Sequence, residues 1–308
     1  MASDQLLFQS ATKIWPVWRS RLVCQALGSV YEAILPDFPP VVRIETTNAC
    51  NARCQICPHR RMGRPVGQMS AESYEKIVLE CARHQCRQLH LHNFGEPLLD
   101  KTLERKIAFA KRHGIPKVKI FSNGSLLRLN RAASLIESGL DEIKISFDGA
   151  TREEFEQIRL PLKFDDVVAN ILELVRIRNE QKARLRILVN CVSTSDKSRT
   201  MQLLERRVDG FSFGQIHNWG DQSEVTCRQH GLRKPCSRLW RSFTILANGD
   251  VSLCCLDYDG HHLLGHLDDT TTIHQIWHSP AYRQARQAHI SCSFNKITLC
   301  RECSKSFW

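Results

Sequence analysis

From residue 41 onward, short β-type runs alternate with segments of helical period, and this alternation restricts the possible folds more than any other feature. The runs are VVRIETT from Val41, QLHLHNF from Gln88, KVKIFSN from Lys117, EIKISFD from Glu142, LRILVNCVS from Leu185 and GFSFGQIHN from Gly210. Between them stand helix-period stretches with start and stop signals. Ser70 and Asn130 are expected N-caps, Gly139 closes the second of these helices, and Thr151 with Glu154 makes a capping box. Asp165 and Asp166 open a long amphipathic helix at its positive end. Strands separated by helices pair in parallel through right-handed crossovers. Six such units fall short of the eight in a closed barrel. The expected fold class is α/β: an open, partial (β/α)6 TIM-like barrel with a small C-terminal β-hairpin and helix module.

The expected division is an N-terminal helical extension over 1–40, the partial barrel over 41–220 and the small module over 221–308. The module begins where the alternation stops. It holds Cys, Gly and Asp turns, a hairpin in FTILANGDVSLC with Asn248-Gly249 at the bend, and one helix around Thr272 to His289. The extension, with Trp15 and Trp18, is expected to cap the barrel, since it lacks the basic polar face of a membrane-surface helix. No apolar run approaches the roughly 18 residues of a transmembrane helix. MASDQLLFQS lacks a secretion signal. A chain of 308 residues buries a core without covalent staples, yet it carries 14 cysteines. The reading is cytoplasmic and reducing, with clustered cysteines as metal ligands rather than bridges. The formal net charge of +11 would suit nucleic acid, but the positive residues are dispersed and no aromatic-interleaved basic stripe is present. A solvated surface explains most of that charge; an acidic substrate or RNA remains an alternative.

The first β run leads into NACNARCQICP, which places thiols at Cys50, Cys54 and Cys57 in a C-x3-C-x2-C arrangement. Three thiolates can hold three irons of a cubane cluster and leave the fourth iron open, as a catalytic site requires. A zinc site with His59 as fourth ligand, or buried free thiols, would use the same residues. Three further segments end strands on the same rim: Gly95-Glu96-Pro97, Ser122-Asn123-Gly124 and Ser146-Phe147-Asp148-Gly149. Each alone reads as a β-to-α turn. Together, beside the thiols, they offer close backbone approach and hydrogen bonds to an amine and to hydroxyls.

In motif, order and spacing the stretch from about Val41 to Asn218 resembles the radical S-adenosylmethionine superfamily. That resemblance implies a [4Fe–4S] cluster on Cys50, Cys54 and Cys57, whose open iron takes the amino and carboxylate groups of S-adenosyl-L-methionine. It puts Ile56 near the adenine and Gly95, Glu96 and Pro97 beside the methionyl amine. Ser122, Asn123, Ser146 and Asp148 fall where ribose or methionyl contacts are made. Phe94 stands where the family more often has a first glycine. The implied chemistry is one-electron cleavage to a 5′-deoxyadenosyl radical and hydrogen-atom abstraction from substrate. A reducing partner such as flavodoxin or ferredoxin is implied with it.

In the C-terminal segment Cys236, Cys254 and the Cys300-x2-Cys303 pair make a natural four-thiolate site, for which zinc is the competing metal. The spacing resembles the first part of the SPASM module, in the shortened "twitch" form that holds one auxiliary [4Fe–4S] cluster. Cys255, next to Cys254 on a strand, should face the other way. It is either a buried thiol or a hydrogen-atom donor to a substrate radical; Cys227 and Cys292 are further candidates for that role or for ligation.

The reaction expected is epimerisation or dehydrogenation of a small polar substrate, sugar-like or aminocyclitol-like, in a pocket that includes Asn190, His217 and Asn218. Maturation of a ribosomal peptide is the alternative within the class; forty residues before the first strand are few for a leader-binding domain. The Lys-Ser-Phe-Trp terminus lacks the Gly-Gly tail of the first enzyme of molybdopterin synthesis. A zinc-containing RNA-binding protein is the alternative from another class. The sequence leaves the substrate and the oligomeric state open.

Overall fold

The computed structural model describes residues 21–216, 218–219 and 233–304. His217, Cys227, Trp15 and Trp18 lie outside the described residues. Helix α1 (Arg21–Ala33) leads to six strands, β1 (Val41–Ile44), β2 (Gln88–His90), β3 (Lys117–Ser122), β4 (Glu142–Ser146), β5 (Arg186–Cys191) and β6 (Gly210–Phe213). They lie side by side in sequence order and all pair in parallel. The crossovers carry α2 (Ala71–Arg83), α3 (Leu103–Arg112), α4 (Leu129–Glu137), α5 (Arg152–Ile158), α6 (Phe164–Glu180) and α7 (Lys197–Leu204). The sheet stays open, as six units require.

Alternation along the strands sets the two faces. Val42, Ile44, Leu89, Val118, Ile120, Ile143, Ile145, Ile187 and Val189 are buried. The intervening Arg43, Lys119, Phe121, Lys144, Ser146 and Asn190 are half-buried. Successive side chains point to opposite faces, so one set packs beneath the helices and the other lines the concave side. Each fully buried aliphatic contributes about 1.5–3 kcal/mol. A one-residue slip would turn the cationic set into the core, which pins the register.

The helix starts largely follow the expected caps. Ser70 Oγ accepts from Ser73 N at 3.0 Å, and Thr151 Oγ1 accepts from Glu154 N at 3.2 Å. The Thr151 box is not reciprocal, because the Glu154 carboxylate instead accepts from Ala150 N and from Ser195 N and Oγ. Asn130 is not a cap: α4 starts at Leu129, with Arg128 extended before it and no side-chain cap. The fully buried Leu127 anchors that start by packing.

The C-terminal segment supplies β7 (Ser242–Ile245), β8 (Asp250–Ser252), β9 (Leu263–His266), α8 (Ile273–Trp277), α9 (Pro280–Ile290) and α10 (Thr298–Arg301). The expected hairpin forms, with β7 and β8 antiparallel across Asn248-Gly249. β7 also pairs in parallel with β1, from Val41 opposite Ser242 to Ile44 opposite Ile245. The result is one sheet in the order β6-β5-β4-β3-β2-β1-β7-β8-β9. The single helix expected near Thr272 to His289 is two. Pro280 sits at the first turn of α9 and Ser279 caps it, accepting from Tyr282 N. Of the expected extension only the part from Arg21 onward lies within the described residues. α1 packs on α9 rather than over the barrel, with Gly28 so close to Ile290 that a Cβ would lie 2.9 Å from its Cα. Trp240 Nε1 donates to Glu32 Oε2 at 2.7 Å across that junction. No helix of the described residues is long and apolar enough to cross a membrane.

Candidate active site

A pocket of about 350 Å³ opens at the C-terminal ends of the barrel strands. Cys50, Cys54 and Cys57 line it together with Ile56, Gly95, Glu96, Ser122, Asn123, Ser146 and Asn190. Thus most of the residues expected at the site meet on one wall. The loop bearing the thiols is held from both sides. Arg53 N and Gln55 N donate to the carbonyls of Leu160 and Ile158, at 2.6 and 2.9 Å. Glu96 N donates to Ala49 O at 2.7 Å. Gly95 makes this second contact possible: its φ is +106°, and a Cβ would lie 2.6 Å from Thr47 O and 2.8 Å from Ala49 O. The close backbone approach expected of Gly95 is therefore to the cysteine loop itself.

Glu96 is buried, and its carboxylate accepts from Leu98 N (3.1 Å), Ser122 Oγ (2.8 Å) and Asn123 N (2.7 Å). Burial raises its pKa to about 6 against those hydrogen bonds. Asn123 Nδ2 donates to Asn51 Oδ1, tying the Ser122-Asn123-Gly124 segment to the cysteine loop. Pro97 and Asp148 do not line the pocket. Pro97 is buried at the start of a 3-10 turn. Asp148 is fully buried with its acceptors engaged: Oδ1 takes Val192 N (2.6 Å) and Ser193 N (2.8 Å), and Oδ2 takes Arg159 Nε (2.8 Å) and Nη2. The direct contact expected of Asp148 is thus replaced by an indirect one. It holds Arg159, whose Nη1 lies 3.9 Å from Cys54 Sγ. Arg159 carried no signal in the sequence, since an isolated Arg after a short helix reads as surface.

A second, smaller cavity is lined by Cys236, Cys254, Cys300 and Cys303 with His289, Leu239 and Leu299. Cys255 lines the large pocket instead. Cys254 lines the second cavity and Cys255 the first, from a turn beyond β8 rather than from a strand, and their side chains stay within hydrogen-bond reach of each other. Arg238 lines both cavities and places Nη1 3.9 Å from Cys254 Sγ. His289 is fully buried; its Nδ1 accepts from Cys236 N at 3.1 Å, which leaves the hydrogen on Nε2. That Nε2 has no hydrogen-bond partner among the described residues. A donor without a partner is costly in an apolar cavity, and an anionic cluster among the thiols would satisfy it. Cys292 lines neither cavity; its Sγ lies 3.7 Å from Arg21 O.

Sulfur spacing separates a cluster from a single ion. Thiolates around one zinc at about 2.3 Å stand about 3.8 Å apart. Among the described residues, the one set of three or more His, Cys, Asp and Glu with ligand atoms all within 4.8 Å of one another is Asp37, His274 and His278. Neither group of thiols is that compact, so both fit a multi-iron cluster better than one zinc.

Comparison with known proteins agrees with this geometry. The family described as "Radical SAM superfamily" matches residues 44–204, and the "Iron-sulfur cluster-binding domain" SPASM matches residues 236–304. The chain belongs to the radical SAM superfamily. It is an enzyme of the class that uses S-adenosylmethionine and a [4Fe–4S] cluster, here joined to a domain that binds auxiliary iron–sulfur clusters. The zinc-containing RNA-binding alternative is thereby set aside. A "Probable GTP 3',8-cyclase" of Methanopyrus kandleri is 32% identical over 165 residues, 53% of this chain and 50% of that protein. The chain thus matches about half the length of that curated relative. In fold, it is similar to BtrN in complex with AdoMet and 2-DOIA, with TM-score 0.62, 17% identity and coverage of 86% of this chain and 92% of that one. It is likewise similar to Streptococcus suis SuiB bound to precursor peptide SuiA, with TM-score 0.68, 13% identity, and 84% and 69% covered.

Proposed function

We propose that this enzyme abstracts a hydrogen atom from a small polar substrate bearing an acidic group and returns one from Cys255, so that the carbon is epimerised. The observation that carries this reading is the position of Cys255 on the wall of the same pocket as Cys50, Cys54 and Cys57. In it, those three cysteines hold the [4Fe–4S] cluster, and Cys236, Cys254, Cys300 and Cys303 hold one auxiliary cluster in a twitch-type module. When bound, the first cluster and S-adenosylmethionine supply methionine and a 5′-deoxyadenosyl radical. Ile56 would pack near the adenine, while Gly95, Glu96, Ser122, Asn123 and Ser146 shape the cofactor wall. Pro97 and Asp148 act from behind it, as positioning residues. A hydrogen atom given by Cys255 leaves a sulfur radical that needs one electron and one proton. A flavodoxin or ferredoxin in the cytoplasm would supply this electron and the one that S-adenosylmethionine cleavage consumes, and solvent would supply the proton. The matches to 44–204 and 236–304 support dividing the chain into 1–40, 41–220 and 221–308.

Charge narrows the substrate. Among the described lining residues Arg43, Arg159 and Arg238 are cationic, His59 and the neutral His92 stand beside them, and Glu96 is the one carboxylate. Arg159 is neutralised by Asp148, but Arg43 forms no ion pair among the described residues. A sugar-like acid or phosphate suits this wall better than an aminocyclitol, whose ammonium groups it would repel.

Dehydrogenation is the second reading, favoured by Arg238 and Leu256, which line both cavities and bring the auxiliary site next to the substrate pocket. Cyclisation of a nucleotide triphosphate is a third, favoured by the name of the relatives and by the same basic wall. Turnover in heavy water separates them. Solvent deuterium in an inverted product that disappears with Cys255→Ala supports epimerisation. An oxidised product without deuterium replaces it with dehydrogenation, and a cyclised nucleotide removes both.

A further inference from the structure

We propose that Asp37, His274 and His278, with His84 packed beside them, form a binding site for a divalent transition metal such as zinc, at the end of the barrel away from the thiol pockets. Asp37 precedes β1 and His84 precedes β2, so both lie at the N-terminal ends of the parallel strands. Residues there serve stability, whereas the opposite rim serves chemistry. His274 lies in α8 and His278 caps its C-terminus, four residues on and so on the same helix face.

The spacing is that of ligands to one ion. Asp37 Oδ1 stands 3.2 Å from His274 Nε2 and 3.9 Å from His278 Nε2, and all three ligand atoms lie within 4.8 Å of one another. Ligands at about 2.0–2.1 Å from a tetrahedral zinc stand about 3.3 Å apart. His84 Nδ1 is 4.0 Å from Asp37 Oδ2, and its ring stacks on that of His274 with centroids 5.4 Å apart. The His84 ring is fixed from its other side by Phe38, stacked at 4.6 Å. Two imidazoles and one carboxylate suit zinc, nickel(II) or copper(II), not calcium or magnesium. On binding, His278 Nε2 exchanges its 2.8 Å contact with Asp37 O for the ion. The imidazoles are half-exposed, so the ion enters directly from solvent.

Such an ion would fasten two segments distant in sequence: the link between α1 and β1, and α8 of the C-terminal module. The test uses anaerobically purified, iron-loaded protein incubated with zinc alone, desalted, and counted for zinc and iron. The wild type should retain one more zinc per chain than the H274A/H278A double variant, with iron unchanged in both. Zinc should raise the melting temperature of the wild type and leave that of the double variant unmoved. Equal zinc in the two proteins, or zinc that enters only as iron leaves, overturns the site. Should the double variant fold poorly, Asp37→Asn at the exposed carboxylate replaces it, and undiminished zinc retention by that variant overturns the site equally. Neither outcome depends on which substrate the enzyme takes.

Discussion

Asp148 and Arg159 show how a buried pair can serve a site it does not touch. Taking both charges from water is costly, and the pair persists because the carboxylate also accepts two backbone amides. Asp148→Asn keeps the shape but leaves the buried Arg159 charge uncompensated. It should cost about 3–5 kcal/mol in urea denaturation, and 5′-deoxyadenosine formation should fall with it. His289 is a different case, a neutral donor facing four thiols. His289→Leu should leave the iron count unchanged yet move the auxiliary cluster's midpoint potential, read by EPR redox titration, to more negative values, since a lost donor destabilises the reduced, more anionic state. His289→Gln can accept from Cys236 N and still donate, so it should restore most of the shift.

Among the elements, β2 and the residues after it carry the sharpest pH dependence. His90 and His92 are buried on the cationic side of the sheet. Burial, then Arg43 and the lysines of neighbouring strands, hold both imidazoles well below their ordinary pKa. The folded state keeps them neutral while the unfolded chain protonates them near pH 6.5. Their contribution is therefore intact above about pH 6.5 and is lost as pH falls below it, by about 1.4 kcal/mol per pH unit for each imidazole. Urea denaturation at several pH values from 7.5 to 5 should show the slope, and His90→Gln or His92→Gln should each remove one imidazole's share of it. The strands themselves were legible in the sequence because period-2 alternation and the crossover rule leave little freedom. The cysteine triplet and the rim turns were legible because their spacing is local. Arg159, Arg238 and His289 were not, since each acts through a partner at least eleven residues away, joined only by folding. The β1–β7 pairing escaped for the same reason: about two hundred residues separate its strands, and no periodicity reports it.

For the molecule as a whole, that pairing makes the cluster-binding module part of the barrel's own sheet. Glu45, fully buried just after β1, binds both parts together. Its carboxylate pairs with Arg64 at 2.9 Å and accepts from Phe94 N (3.2 Å) and Ala247 N (3.2 Å). Arg64 in turn donates to Tyr258 O at 2.9 Å. A chain truncated after residue 220 should therefore not behave as a free domain. It would expose the edge of β1 and strip Glu45 of a donor, and on size-exclusion chromatography it should show a much larger aggregate fraction than the full-length protein. The same feature bears on recombination. A chimera that grafts a foreign auxiliary module onto this barrel must match a strand edge, a carboxylate and an arginine loop at once, so the two halves cannot be swapped like beads on a string without refitting that seam.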